Sequence, residues 1–426
     1  MKKPARIIIV GGGASAVFFL ARFVRQDKAR AHITLIDRTG SFGRGVAYGT
    51  PQDCHLLNVR AGNMSAFDDA PSHFTDWLHA RGKAYDAEAF VPRALYGAYL
   101  ESVLKAAMTE AAAQGHRIDF LQASVRAITR EGEIVTDKGV FEADAVVLAT
   151  GNAIPRAPML SLKPEAAYFS NPYHGSYDAL SQLSNIAVLG AGLSMVDVIL
   201  SLDDAGYRGK VVAISRHGLI PQPHVPRVDY PAFLTTDNMP STILGIVKVV
   251  RQEIAAAKRK GIPWQAVIDA LRPVSNALWL ALPKVERLRM GRVMPFWSVV
   301  RHRIAPEVNA VIQRWISEGR LELFTAKVKS VEGAGNELSV MTDRGTRDAR
   351  AVINCLGYIY NPRHPESLTA ALPLTPEGVT PKISDRPRLY AVGPVLTGHY
   401  FESVAVPELR VQARLLAAHV ADDLVF

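Results

Sequence analysis

The chain has 426 residues, 48% hydrophobic and 21% charged, a composition that fits a globular protein with two or three cores. Forty-nine Lys and Arg against forty Asp and Glu leave a formal charge of +9, but the longest basic run is Lys258–Lys260 and no aromatic–basic platform accompanies it, so a nucleic-acid partner is not expected. No stretch reaches the roughly 20 apolar residues of a membrane span, since Arg22 interrupts "AVFFLARFV", and "MKKPARIIIVGGG" turns at glycine too early for a signal peptide; a cytoplasmic chain without a membrane partner is expected.

In chain order, "ARIIIV" (Ala5–Val10) is a β-branched run of the kind buried on both faces of a parallel sheet. Gly11-x-Gly13-x-x-Ala16 follows, and "ASAVFFLARFVRQ" then has helical spacing. Gly11 permits a tight turn, Gly13 lets a pyrophosphate approach the backbone, and Ala16 allows helix and strand to pack closely, with Ala14 and Ser15 opening the helix beside the phosphates. "HITLID" reads as a second strand ending in Asp37, with Arg38 next to it. A carboxylate there accepts ribose hydroxyls and repels a 2′-phosphate, which fits FAD or NAD.

"FEADAVVLATGNAIPRAP" (141–158) reads as a buried strand followed by Ala149-Thr150-Gly151, a crossing point where Gly151 frees the backbone and the prolines stiffen it. Val125 is counted with the cofactor contacts of this first domain. The glycine device then recurs: "SNIAVLG" leads into Gly190-x-Gly192-x-x-Met195, with Ser194 in the first helical turn. The longer Met in the third position predicts a helix set slightly farther out. The next strand, "GKVVAIS", ends not in an acid but in Ser215-Arg216-His217, a hydroxyl and a guanidinium that suit a 2′-phosphate. Two different dinucleotides, FAD and NADPH, with hydride passing between them, account for the repetition. The proline-punctuated "SRHGLIPQPHVPRVDYP" reads as a stiff loop roofing the nicotinamide, and residues 235–300 as a helical insertion, either a lid or an oligomer surface whose tryptophans Trp264, Trp279 and Trp297 are core.

The fold class expected is α/β, with two Rossmann-like dinucleotide-binding domains: an FAD domain of residues 1–160 and 350–426, interrupted by an NADPH domain of 161–349. Cys54 and Cys355 are far apart and no C-x-x-C occurs, which excludes a redox dithiol and a zinc site of that type. His55, His174, His217, His224, His302 and His399 lack metal-ligand spacing, so no metal is expected.

The paired glycine turns, with "GRGVAYGTPQDCHLLNVRAGNMSAF" and "FESVAVPELRVQ", resemble the FAD-NAD(P)-binding family of two-dinucleotide flavoproteins, related to class B and N-hydroxylating monooxygenases. The resemblance implies that Leu57, Asn58, Asn63, Met64 and Ser65 lie beside the flavin. It also implies that Glu402, Ser403 and Arg410 stand at a turn returning to the isoalloxazine, the alternative being a helix cap with a solvated Glu and Arg. His399 and Tyr400 either relay protons or pack. Relatives carry Gly-Asp where this chain has Gly393-Pro394, which leaves the ribityl chain without an obvious carboxylate. Asn58, His399, Glu402 and Arg410 form the catalytic set so implied. The activity implied is an FAD- and NADPH-dependent monooxygenase acting with O2 on a small substrate nitrogen, in a chain that forms homo-oligomers or not. The rivals are a flavin reductase or oxidase without oxygen insertion, and a non-enzymatic redox sensor.

Overall fold

The first β-branched run forms β1 (Ala5–Val10), the helical spacing after it α1 (Ala14–Phe23), and the next apolar run β2 (Ala31–Asp37). The computed structural model describes residues 3–26, 30–129, 132–152, 154–173, 177–360, 367–368, 380–385 and 388–424. The chain divides into two units, one of Met1–Asp53, Val59–Ile154 and Ile359–Phe426, the other of Cys54–Asn58 and Pro155–Tyr358.

In the first unit a six-stranded sheet runs Lys382–Asp385, Arg388–Ala391, Ala145–Leu148, β1, β2, Arg117–Gln122. Its neighbours are parallel except for the first pair. β1 pairs with β2 from Ala5↔Ala31 to Val10↔Ile36, so the apolar residues of both strands fall in step and Ile7, Ile9, Ile33 and Leu35 are buried. The strand order reverses direction at β1, so the carboxyl end of β1 is the switch point at which open α/β sheets bind ligands. α1 covers the sheet and packs against the helices Arg93–Ala113 and Val406–Leu424.

The second unit repeats the plan. β3 (Asn185–Leu189), α2 (Leu193–Asp204) and β4 (Lys210–Ser215) open a parallel sheet ordered Tyr168–Phe169, Ala351–Asn354, β3, β4, Leu321–Thr325. Its switch point is at β3. In each unit a three-stranded antiparallel meander (Val125–Ile128, Glu133–Thr136, Gly139–Glu142; Val328–Ala334, Glu337–Thr342, Gly345–Ala349) precedes the strand beside β1 or β3. Ala351–Asn354 pairs with β3 from Ile186↔Ala351 to Leu189↔Asn354. The second unit therefore runs to Tyr358, past the boundary near 350 expected from sequence.

Between β4 and the helix Pro306–Ser317 that leads into Leu321–Thr325 lie five helices, α3 (Ile243–Arg259), α4 (Trp264–Leu271), α5 (Ser275–Ala281), α6 (Lys284–Arg289) and α7 (Met294–Arg301). Thr242 caps α3, its Oγ1 accepting the Gly245 N–H at 3.1 Å. Leu234, Ile268, Leu271 and Leu278 form their core, against which Trp264 and Trp297 pack, while Trp279 is half-buried. Among the described residues no helix is long and apolar enough to cross a membrane.

Candidate cofactor sites

Each unit builds the same turn at its switch point. Gly11 has φ +110° and Gly190 φ +107°, conformations that disfavour any side chain. A Cβ at Gly11 would strike the Ala149 carbonyl oxygen, and one at Gly190 the Cys355 carbonyl oxygen, so each turn presses on the end of the neighbouring strand. Gly13 and Gly192 are the N-caps of α1 and α2, with φ, ψ of −87°, −165° and −88°, −162°. Neither helix has a side-chain cap or an acidic residue in its first turn. The first-turn N–H groups thus face outward with the positive end of the helix dipole behind them, the arrangement that takes a phosphate. An added Cβ at Gly13 meets only the Gly45 backbone, its Cα at 3.4 Å, and one at Gly192 meets nothing within 4 Å, so both turns leave open space at the helix N-terminus. Met195 is fully buried while its turn keeps the torsions of the first, so the core absorbs the longer side chain rather than the turn.

The ends of the second strands differ, and so does their chemistry. Asp37 Oδ2 accepts the Gly12 N–H at 2.9 Å, and Oδ1 accepts the Thr39 N–H at 2.8 Å and its hydroxyl at 2.6 Å. The carboxylate is thereby fixed at the lip of the turn, with an acceptor site left on Oδ2 for a ribose hydroxyl. Arg38 points to solvent. Asp37→Ala is expected to weaken FAD roughly tenfold, on the order of 1–2 kcal/mol for a charged hydrogen bond, and an unchanged FAD dissociation constant would reduce Asp37 to a turn brace. At the end of β4, Ser215 Oγ accepts the Gly218 N–H at 3.0 Å. Arg216 is exposed and has no hydrogen-bond or ion-pair partner among the described residues. Under the second turn Tyr173 donates its hydroxyl to Asp197 Oδ2 at 3.1 Å, and that hydroxyl lies 3.1 Å from Ser194 Oγ.

Cys355 is buried, and that burial, with Asp197 nearby, pushes its thiol well above the ordinary range. The thiol therefore stays protonated and inert at neutral pH. Native protein at pH 8 is expected to take up alkylating reagent at Cys54 alone, the second equivalent appearing after denaturation; rapid labelling of Cys355 in the native state would contradict this.

The residues expected beside the flavin fall in both units. Leu57 (buried) and Asn58 (half-buried) belong to the second unit, while Asn63, Met64 and Ser65 belong to the first. Two histidines explain the assignment. His55 Nε2 lies 3.1 Å from the Asp197 carbonyl and 2.9 Å from Ser201 Oγ on α2, and His224 Nε2 lies 3.0 Å from the Asn58 carbonyl. A carbonyl only accepts, so both rings donate from Nε2. Ser65 is fully buried and its hydroxyl is used by its own turn, 2.6 Å from the Ala70 carbonyl and 3.0 Å from that of Phe67, while accepting the Phe67 N–H. It braces the loop and offers no free hydroxyl to a ligand. Met64 is buried and Asn63 half-buried. Arg410 Nη1 donates to the Ser65 carbonyl at 3.0 Å, so this guanidinium ties the helix Val406–Leu424 to the loop. Glu402 is 2% exposed, which removes the reading of a solvated cap, and Ser403 Oγ lies 2.9 Å from Thr397 Oγ1. The His399 and Tyr400 rings stand edge to face at 4.6 Å. Gly393 (φ +88°) approaches α1 so closely that a Cβ would strike Ser15 Oγ, and Pro394 is buried behind it. Thr150 is exposed and Gly151 has φ +71°. Val125 is half-buried against the core of the first unit and offers no polar side-chain atom.

Some interactions of the first unit have no motif. Arg22, buried within apolar α1, pairs with Asp68 at 2.7 Å and Asp69 at 2.6 Å, and Arg414 holds Asp68 at 2.7 Å. Arg22 pulls the Asp69 carboxyl down to about 2. The buried arginine and the "FDDA" doublet were the available signals. Tyr96 is fully buried, its hydroxyl has no partner among the described residues, and its ring packs edge-on to Tyr48 at 4.6 Å. His174 lies outside the described residues, among which no three His, Cys, Asp or Glu side chains gather as metal ligands.

Residues 8–153 match the family model described as FAD-NAD(P)-binding. The protein YdhS of Escherichia coli (strain K12) is 20% identical over 255 residues, 51% of this chain, and the match spans less than half (46%) of that protein. Among solved structures, the ornithine N-hydroxylase of Kutzneria sp. 744, in complex with reduced FAD, NADP+ and L-ornithine, is 16% identical with a TM-score of 0.64 over 99% of both chains. The FAD-bound cadaverine monooxygenase of Erwinia amylovora is 14% identical with a TM-score of 0.65, covering 100% of this chain and 96% of its own. The bacillithiol disulfide reductase of Staphylococcus aureus is 12% identical with a TM-score of 0.59, over 98% of both. Residues 8–153 are thus similar to an FAD-NAD(P)-binding family, and the chain as a whole shares the fold of these flavin enzymes.

Proposed function

We propose that the protein is an FAD-dependent, NADPH-using monooxygenase that oxidises a small nucleophile at nitrogen: an amine, an amino acid or a hydroxylamine. The observation that carries this reading is the pair of matched glycine turns whose strand ends have opposite chemistry, Asp37 in one and Ser215-Arg216 in the other. FAD, when bound, supplies the redox centre that takes hydride and activates O2. For an amine the balance is R–NH2 + O2 + NADPH + H+ giving R–NHOH + NADP+ + H2O. The hydride supplies two electrons, one oxygen atom bonds to nitrogen, and the other leaves as water.

The chain's own residues bind, orient and exclude water. The α1 N-terminus holds the FAD pyrophosphate and Asp37 the ribose. The α2 N-terminus holds the NADPH pyrophosphate, while Ser215 and Arg216 grip the 2′-phosphate. Arg410 fixes the Asn63–Ser65 loop by its backbone, and buried Met64 keeps water from it. His399 and Glu402 are the polar groups we assign to proton handling in the first unit; Leu57 and Asn58 serve the nicotinamide-nucleotide unit. NADPH supply fits a cytoplasmic enzyme.

The fold shared with a disulfide reductase supports a second reading, a reductase without oxygen insertion. The cysteines argue against its dithiol form, because Cys355 is buried and protonated and no C-x-x-C exists. Anaerobic mixing with NADPH or NADH tests the proposal. The flavin is expected to bleach faster with NADPH, whereas a flavin that neither nucleotide bleaches would be structural.

A further inference from the structure

Between Ile243 and Arg303 the sequence carries twelve Lys and Arg but only three Asp and Glu, so this stretch holds the entire +9 of the chain. All three acids are engaged internally. Glu253 accepts the Tyr230 hydroxyl at 2.7 Å, Asp269 pairs with buried Arg303, and buried Glu286 pairs with Arg289 while its Oε2 accepts the Ile243 N–H at 3.0 Å. Arg301 and Arg303 are buried, but Lys248, Arg251, Lys258, Arg259, Lys260 and Arg292 are exposed.

Apolar side chains protrude from the same helices. Leu244 is 78% exposed, Leu288 75% and Val285 55%. The bond from Ile243 to Glu286 ties the first turn of α3 to α6, so Leu244, beside Ile243, and Val285 and Leu288, on either side of Glu286, share one end of the helical insertion. Single exposed leucines are ordinary, but a group of them on an insertion whose exposed cations outnumber its acids is the pattern of a surface with a partner.

We infer that α3–α7 form a peripheral docking face for an anionic phospholipid surface, into which Leu244, Val285 and Leu288 insert while the lysines and arginines meet headgroups. Membrane-surface binding combines inserted apolar side chains with attraction of Lys and Arg to anionic lipid, and needs no spanning length. The expectation of no membrane partner rested on spanning length alone. A second copy of the chain is disfavoured, because a two-fold interface would set this cationic face against itself. A protein partner is disfavoured because interfaces are depleted in Lys. Nucleic acid would satisfy the charge but leave the protruding leucines in water. This inference does not depend on the reading of the cofactor sites.

The test is sedimentation of the FAD-loaded full chain with phosphatidylcholine vesicles, with and without phosphatidylglycerol, at low and high salt. Binding is expected to the anionic vesicles alone and to fall with salt. The double variant Leu244→Asp, Leu288→Asp should lower the partition coefficient by roughly tenfold or more, and Lys258→Glu with Arg292→Glu should also lower it. These positions are exposed and outside the cofactor sites, so FAD content and reduction by NADPH should stay as in wild type, which excludes misfolding. No retention on anionic vesicles at low salt, or equal retention on neutral ones, would overturn the inference. So would a self-associated form abolished by the leucine variant without vesicle binding, or duplex-DNA binding that the leucine variant leaves intact while vesicles are not bound.

Discussion

Gly13→Val is expected to purify as apoprotein. Gly13 caps α1 with no side chain in the way, and the space where its Cβ would stand is bordered only by the Gly45 backbone, its Cα at 3.4 Å. In the proposed function that space takes the FAD pyrophosphate, so two methyl groups there would lie against the phosphate oxygens and cover the first-turn N–H groups. The backbone at Gly13 (φ −87°) is open to any residue. The variant should therefore keep its fold and thermal unfolding while losing the flavin absorbance, which separates lost binding from lost structure. Gly11→Val would not make that distinction, because Gly11 has φ +110° and presses on the Ala149 carbonyl. A Gly13→Val protein with undiminished FAD would remove the first site from the account.

Arg216→Ala should raise the apparent NADPH dissociation constant about ten- to a hundredfold, or roughly 1.5–3 kcal/mol, while barely changing that for NADH. The guanidinium is exposed and has no partner among the described residues, so it loses no internal ion pair when a dianionic phosphate arrives. Ser215 cannot replace it, since its hydroxyl, whose oxygen accepts the Gly218 N–H, can donate to a phosphate but brings no charge. The preference for NADPH should narrow or reverse, and FAD content should stay normal because Asp37 and the first turn are untouched. Equal affinity of wild type for both nucleotides, unchanged in the variant, would make Arg216 an ordinary surface arginine.

The glycine turns were legible because their signals are local. A β-branched run, two glycines two apart and a helical repeat dictate strand, turn and helix without reference to the rest of the chain, and both copies take the same torsions. Where meaning depended on a distant partner, sequence reading reached less far. Ala351–Asn354 is an apolar run that either sheet could accept, and only its register with β3 decides the unit. That Ser65 braces its own turn, through Phe67 and Ala70, has no signal in the sequence. Arg22 reads as an interruption of an apolar helix, and its reason lies 46 residues on, at Asp68. The basic excess of the helical insertion was countable, but its residues are scattered at helical spacing rather than run together, so no motif announced it.

The most direct measurement of the central claim is turnover of the FAD-loaded protein with NADPH and isotopically labelled O2 across a panel of amines, amino acids and hydroxylamines. The account predicts one labelled oxygen atom in the nitrogen-oxidised product of at least one substrate, with one NADPH consumed per product. Consumption of NADPH with every O2 converted to hydrogen peroxide and no label in any organic product would contradict it.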